Sequence, residues 1–248
     1  MINHNLIDKT IEYYKKYSIE DYVVKPGLPI LYFGDLEAYK KSELKIITVG
    51  KNPSNNEFKL HTADNYSFCR FLNWDDKKQN LCEVLNSYFE SEPLKQWFSS
   101  FEPILNGASS SYYNRKEYPN RALHTDICTP LATHPTWSKL ENYQRNLLFS
   151  KGNELWIELI EELQPDLMLI SIPKELFKKS ITSEGKLLIT FDKNKDGSKK
   201  KFPYRVDLHT HQLKSGKKVK VIFGKAANKP FDTITNEQKK VLGELCRK

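Results

Sequence analysis

Three polar segments carry the residues of this 248-residue chain whose types and spacing are suited to chemistry. They are residues 52–54, 126–135 and 225–231, and each follows a short apolar run. The amide of Asn52 is able to orient a water molecule but is not a strong general base, and an ionised Asp126 carboxylate only accepts hydrogen bonds. Groups of this kind act through positioning and electrostatics, so we expect a site that needs neither a metal nor a cofactor.

The apolar runs that precede these segments are typical of strands that are buried on both faces. Together with one further run they predict four core strands, over residues 46–49, 122–127, 167–172 and 219–224. Amphipathic or capped segments predict helices over 6–17, 80–89, 93–105, 139–148 and 153–163, and a last helix that Thr235 caps. The alternation predicts an α/β fold, a three-layer α/β/α domain with a mainly parallel four-stranded central sheet and a β-hairpin insertion. In such a sheet the polar loops that follow the strands converge on one crevice.

We expect a single domain over residues 1–248, with residues 1–44 as an N-terminal helical extension. The hairpin insertion covers residues 185–215, because two alternating runs flank Asp196-Gly197, a strong turn signal. A purely structural interpretation of the first polar segment stays open. In that interpretation Asn52 is a helix N-cap and Pro53 the first helical residue.

The chain has 39 basic and 31 acidic side chains, a net charge of +8. This excess favours a polyanionic partner, with nucleic acid first and an anionic membrane surface second. No apolar run reaches the length of a membrane span. The four cysteines are scattered and form no CxxC pair, which argues against an iron–sulfur cluster or a structural zinc. We expect a reduced, cytoplasmic monomer that binds DNA and no membrane.

Taken together, the three segments resemble the motifs of the uracil-DNA glycosylase superfamily. Residues 50–54 are similar to its first motif in the Asn-containing form, and residues 123–131 to the strand that carries its base-reading residue. Residues 223–231 stand where that superfamily has a second motif, a Pro-containing loop that ends in an apolar wedge. The resemblance covers residues 45–231 and implies a DNA N-glycosylase. Such an enzyme flips a base out of DNA and hydrolyses its N-glycosidic bond, leaving an abasic site.

The resemblance also implies roles for individual residues. Asn52 would direct the attacking water, and an aromatic platform would stack on the base, with Tyr66, Phe68 and Phe58 as candidates. Ordinary core packing is the alternative for Phe68. Phe231 would be the wedge that enters the duplex. The remaining DNA contacts would come from Lys51, Ser54, Lys225 and Lys229.

The superfamily usually has a histidine at the start of its second motif, where it stabilises the departing base. This chain has Ala226, Ala227 and Asn228 there. Asn228 is our candidate for that role, with Lys225, or His209 or His211 from the hairpin, as alternatives.

Asp126 stands where uracil-reading enzymes carry an asparagine. A carboxylate suits the N4 amine of cytosine and not the O4 atom of uracil, so we expect a modified-cytosine substrate, in anti-phage defence. A one-residue slip of the alignment would place Thr125 there, and Asp126 would then only cap its loop. Uracil repair is the alternative within this class.

Two other classes of protein remain open. His209 and His211 lie two apart on one strand, as do His124 and Asp126, which is the pattern of a metal-dependent nuclease. A DNA-binding module without enzymatic activity is the third class. It would explain the positive charge but not the polar loops at the strand ends.

Overall fold

The computed structural model describes residues 2–62, 65–71, 74–75, 77–226 and 229–247. Its strands are β1 (Ile46–Gly50), β2 (Leu60–Thr62), β3 (Asn65–Phe68), β4 (Ser110–Ser111), β5 (Asn120–Asp126), β6 (Leu167–Ile170), β7 (Lys186–Lys193), β8 (Lys199–Gln212) and β9 (Lys218–Gly224). Its α-helices are α1 (His4–Tyr17), α2 (Leu36–Lys41), α3 (Leu81–Asn86), α4 (Lys95–Phe98), α5 (Glu102–Gly107), α6 (Asn142–Leu163), α7 (Lys174–Ser180) and α8 (Asn236–Cys246). None of these helices is long and apolar enough to cross a membrane.

The fold is α/β, with a mixed seven-stranded sheet in the order β4-β5-β1-β6-β9-β8-β7 and a separate β2-β3 pair. The pairs β4-β5, β1-β6 and β6-β9 are parallel, whereas β9-β8 and β8-β7 are antiparallel. The four core strands that the apolar runs predict are confirmed as β1, β5, β6 and β9.

The prediction of a four-stranded sheet is wrong, because the hairpin is part of the sheet. Val206 to Gln212 of β8 pair with Gly224 to Lys218 of β9, so backbone hydrogen bonds continue across the predicted boundary. The hairpin strands are largely exposed; β7 contains an uncharged run over residues 187–191, but of that strand only Phe191 is buried. The remaining strand, β4, has only two residues, too few to give a sequence signal.

The chain forms two compact units. The first contains residues 1–37, 50–94 and 123–163, and the second contains residues 38–49, 95–122 and 164–248. In the first unit, the two helices predicted over 139–148 and 153–163 form one helix, α6 (Asn142–Leu163). Gly152 lies in its middle and packs against the backbone carbonyl of Cys128. The glycine therefore permits a close helix contact and does not end the helix.

The second unit has a core of fully buried strand residues and a tight helix pair. Ile46, Leu169 and Val221 are at most 1% exposed. Helices α5 and α8 meet at Gly107 and Gly243, where any Cβ atom would collide with the opposite backbone. Thr235 caps α8, as predicted, in a capping box with Gln238. The helix predicted over 93–105 is wrong, because the segment forms two short helices, α4 and α5.

Candidate functional site

The side chain of Asn52 is fixed by hydrogen bonds just beyond the end of β1. Its Nδ2 atom donates to the carbonyls of Pro53 (3.1 Å) and Leu131 (3.3 Å) and to Oγ1 of Thr133 (3.2 Å). The half-buried amide therefore has a set orientation, and its Oδ1 atom accepts no hydrogen bond from the described part of the chain. An oriented carbonyl oxygen of this kind can accept a hydrogen bond from a water molecule.

Asn52 does not cap a helix, so that structural interpretation is wrong. The cap is Ser54, whose Oγ atom accepts from the backbone N–H of Asn56 at 3.2 Å and begins a 3-10 helix over Asn55–Phe58. The chain needs two more residues after Asn52 to turn into this helix. Lys51 and Ser54, the predicted DNA contacts beside Asn52, are both half-buried.

The carboxylate of Asp126 lies at the end of β5, beside the end of β1. The backbone N–H of Ile127 donates to the carbonyl of Gly50 (3.1 Å), and that of Cys128 donates to the carbonyl of Lys51 (2.8 Å). These bonds hold Asp126 and the Gly50–Asn52 segment side by side in the first unit. The two polar segments that the sequence predicts to meet at one sheet edge do lie together there.

Gly50 makes room for the Asp126 side chain. A Cβ atom at Gly50 would lie 2.5 Å from Oδ1 of Asp126 and 3.0 Å from Nε2 of His124. Asp126 is only 7% exposed, and its Oδ1 atom lies 3.7 Å from that imidazole nitrogen. The close approach requires glycine at position 50 and leaves the carboxylate in a confined, largely dry environment.

Hydrogen bonding distinguishes Asp126 from the neighbouring candidate, Thr125. The hydroxyl of Thr125 is fully buried and accepts from the indole nitrogen of Trp156 at 3.0 Å. The side chain of Asp126, in contrast, forms no hydrogen bond with the described residues, so it does not cap its loop. If Asp126 is the base-reading residue, the site contains a carboxylate that has no hydrogen-bond partner among the described residues. If Thr125 is the base-reading residue, its hydroxyl is already engaged by Trp156.

Glu57 is a candidate functional residue that the sequence analysis missed. It is 2% exposed, the Tyr88 hydroxyl donates to its Oε2 atom at 2.6 Å, and Nε of Arg70 lies 3.5 Å from the same atom. Burial raises the pKa of the Glu57 carboxyl from 4.5 to about 7, and the charge of Asp126 adds to this. The Tyr88 hydrogen bond and the Arg70 charge lower this pKa by less than burial raises it.

A carboxyl group with a pKa near neutrality is suited to proton transfer at the pH of the cell. No sequence signal marks Glu57. It lies in a polar, aperiodic segment, where a glutamate is expected to be exposed.

The candidate aromatic platform belongs to a buried cluster in the first unit. The Phe58 ring stacks on Phe71 at 5.7 Å between centroids and meets Phe68 edge-on at 5.3 Å. Phe58 is 8% exposed and Phe68 is 3% exposed, so the core interpretation of Phe68 is confirmed. Base stacking by either ring stays a prediction, and the side chain of Tyr66 lies outside what the structure describes.

The prediction that Phe231 is a wedge is wrong, because its side chain lies in the core of the second unit. It is 0% exposed and packs near Phe101, with 6.0 Å between ring centroids. The backbone turns with a positive φ of 49° at Phe231 and places the ring against Gly224, where a side chain would collide with it. Its N–H donates to Oγ of Ser171 at 3.1 Å, which fixes this turn.

The other predicted residues of the second motif also belong to the second unit. Lys225 is exposed, and the half-buried Lys229 donates its backbone N–H to Asp232 at 3.2 Å. Asn228 lies outside the described residues. No structural observation therefore bears on its proposed role with the departing base.

The two histidines of the nuclease alternative lie on β8. Nδ1 of His209 forms a hydrogen bond with the carbonyl of Ser183 at 2.9 Å, and its ring packs edge-on against Phe177. Within the described ranges, no three histidine, cysteine or acidic side chains are grouped so as to hold a metal ion. The nuclease alternative thus gains no ligand set from these residues.

No protein-family model matches the chain, and no curated protein is significantly similar to it. The functional assignment therefore depends on the geometry of the residues described above.

Proposed function

We propose that the protein is a DNA N-glycosylase that removes a cytosine-type base, with its site around Asn52 and Asp126. The observation that carries the proposal is the pairing of an oriented, available amide oxygen with a confined carboxylate on adjacent strand ends. One group is suited to directing water and the other to recognising a donor on the substrate. This arrangement also supports the motif resemblance in residues 50–54 and 123–131.

In the proposed reaction, water adds to C1′ of the sugar and the bond between C1′ and the base nitrogen breaks. The electron pair of that bond moves to the base, and a proton from the water finally reaches the released base. Oδ1 of Asn52 orients the water, which contributes through positioning. Glu57 is the proton-exchanging group of the site, because a carboxyl with a pKa of about 7 exchanges protons readily near neutral pH.

Asp126 sets the choice of base in this proposal. Its carboxylate accepts a hydrogen bond from the N4 amine of cytosine, whereas it repels the O4 oxygen of uracil. A contact of this type discriminates between the matching base and a wrong base by about 1–3 kcal/mol of binding free energy. The biological role that follows is restriction of phage DNA with altered cytosines, and uracil repair is the alternative outcome.

The test is a panel of duplex oligonucleotides that carry cytosine, several modified cytosines or uracil at one position. Released bases are identified by mass spectrometry, and abasic sites are revealed by alkali. We expect a free cytosine-type base and alkali-dependent breaks, with and without EDTA. Strand breaks that need a divalent metal and no alkali would instead support the nuclease alternative.

Two variants test the residue roles, each with an exposed control of the same residue type. Asn52→Ala should reduce the single-turnover rate by about 100-fold or more and leave DNA affinity within a few-fold, because positioning acts mainly in the transition state. Asp126→Asn should lose release of the cytosine-type base and gain release of uracil. Asn5→Ala and Asp21→Asn should match the wild type. Equal losses of rate and affinity in Asn52→Ala would reduce Asn52 to a structural role.

A further inference from the structure

The hairpin formed by β7 and β8 carries a large share of the positive charge of the chain. Residues 185–215 contain eight basic and three acidic side chains, a net +5 of the total +8. Lys193, Lys195, Lys199 and Lys201 are exposed, and none forms an ion pair in the described part of the chain. A concentration of unpaired positive charge of this kind attracts polyanions.

Phe202 adds an exposed aromatic ring to this charged hairpin. It is 79% exposed, more than any other large apolar side chain in the described ranges, and Nζ of Lys201 lies 5.4 Å from its ring centroid. Rings of this kind, set among cations, stack on nucleic-acid bases while the cations bind the phosphates.

The base of the hairpin is anchored to β9 in the sheet, and the tip of the hairpin extends beyond the end of β9. Pairing of β8 with β9 ends at Val206, and beyond that point β8 pairs only with β7. Nζ of Lys200 donates to the carbonyl of Thr233 at 2.6 Å, which ties the tip to the segment between β9 and α8. Lys193 and Lys199 therefore face each other as a strand pair, and Lys195 lies in the turn between them. Lys201 and Phe202 lie on β8 between the pairs Lys193–Lys199 and Phe191–Tyr204, where the register of the two strands shifts.

Protection of the sheet edge explains only part of this pattern. Strand β7 is one of the two edge strands of the sheet, and lysines on an edge prevent pairing with other chains. Lys199 and Lys201 lie on the part of β8 that is unpaired on its β9 side, so edge protection applies to these two lysines as well. It does not explain Phe202, because an exposed aromatic ring does not discourage pairing with another chain. Lys193 and Lys199 also stand directly opposite each other, an arrangement of like charges that destabilises a strand pair. A bound anion would remove that repulsion.

We propose that the β7–β8 hairpin tip is a nucleic-acid-binding arm, in which Lys199 and Lys201 contact phosphates and Phe202 stacks on an unpaired base. The choice of DNA as the partner rests on the proposed function, but the binding does not depend on chemistry at Asn52. A membrane surface fits less well, because the tip offers one aromatic ring and no continuous apolar face.

The experiment measures binding of fluorescently labelled, unmodified single-stranded and duplex DNA over a range of salt concentrations. The variants are Lys199→Gln/Lys201→Gln and Phe202→Ala. The matched controls are Lys15→Gln/Lys16→Gln, two exposed lysines of which Lys16 lies over the Tyr17 ring, and Tyr143→Ala, an exposed aromatic residue. Circular dichroism checks that every variant is folded.

For single-stranded DNA, the hairpin lysine variant should reduce the slope of log affinity against log salt by about 1.4, since two phosphate contacts are lost. Phe202→Ala should weaken single-strand binding about five-fold or more without changing that slope. The controls should bind like the wild type. An equal slope change in both lysine variants would mean that only net charge matters, and would overturn the proposal.

Two further outcomes separate this inference from the proposed function. If no base is released from any DNA but the hairpin variants bind DNA as expected, the arm stands and the glycosylase proposal fails. If bases are released and the hairpin variants bind DNA like the wild type, the arm fails alone. If the hairpin variants lose binding to phosphatidylserine vesicles and bind DNA like the wild type, the proposal of a nucleic-acid-binding arm is also overturned.

Discussion

Replacing Glu57 by glutamine should make the stability of the protein less dependent on pH. The folded protein keeps a proton on Glu57 up to about pH 7, whereas the ordinary value for this carboxyl is 4.5. The contribution of Glu57 to the free energy of unfolding therefore falls as the pH rises from about 4.5 to about 7, because the unfolded chain releases this proton freely while the folded state still holds it. Glutamine has the same shape, still accepts from the Tyr88 hydroxyl and never ionises.

The size of the effect follows from the shift in pKa. Each pKa unit corresponds to about 1.4 kcal/mol, so the variant should gain roughly 2–3 kcal/mol over the wild type between about pH 5 and pH 8. Arg70 acts in the opposite direction, because it loses the attraction of an ionised partner. The effect of Arg70 on the stability of the variant is smaller than the effect of burial, since burial is the largest influence on the pKa of Glu57.

The assay is urea unfolding of wild type, Glu57→Gln and the surface control Glu83→Gln at several pH values. Buried Glu102 also has a raised pKa, but it is present in all three proteins and cancels in the differences. A difference between Glu57→Gln and wild type that stays constant within about 0.5 kcal/mol over this pH range would refute the reasoning. The same variant should flatten the pH profile of base release if Glu57 exchanges protons in the reaction.

Two other substitutions test the description of the core and the site. Phe231→Ala should lower the free energy of unfolding by about 3–5 kcal/mol, because it leaves a cavity at a fully buried position, and urea unfolding measures this. If the free energy of unfolding falls by less than about 1 kcal/mol, Phe231 is not a core residue and the wedge prediction is restored. Gly50→Ala should displace the Asp126 carboxylate, lower stability by about 1–3 kcal/mol and reduce base release at least about ten-fold. Unchanged base release in Gly50→Ala, measured in single turnovers, would show that the position of Asp126 is not critical.

The elements of the fold that depend on local pattern were predictable from the sequence. Strands β1 and β6 follow from uncharged apolar runs, and β5 and β9 follow from mainly apolar runs that each contain one charged residue, Asp126 and Lys220; such runs are typical of buried strands. The turn near Asp196-Gly197 and the cap of α8 at Thr235 follow from side chains that act on their own neighbours in sequence. The adjacency of Asn52 and Asp126 also follows, because adjacent strands carry their polar ends to one edge of a sheet.

The remaining features are decided by contacts between residues that are far apart in sequence. Glu57 can be buried because its carboxylate has two partners: the hydroxyl of Tyr88, 31 positions away, donates to it, and Arg70 lies beside it. No property of the residues next to Glu57 in sequence reveals these partners. Phe231 is buried because Gly224 leaves space for its ring and the hydroxyl of Ser171 accepts a hydrogen bond from its backbone N–H. Strand propensity is a local property, whereas the burial of one side chain depends on the space and the hydrogen-bond partners that distant segments provide. For this reason the sequence by itself determined the core strands and the neighbouring positions of Asn52 and Asp126. Only the tertiary structure decided the ionisation of Glu57 and the burial of Phe231.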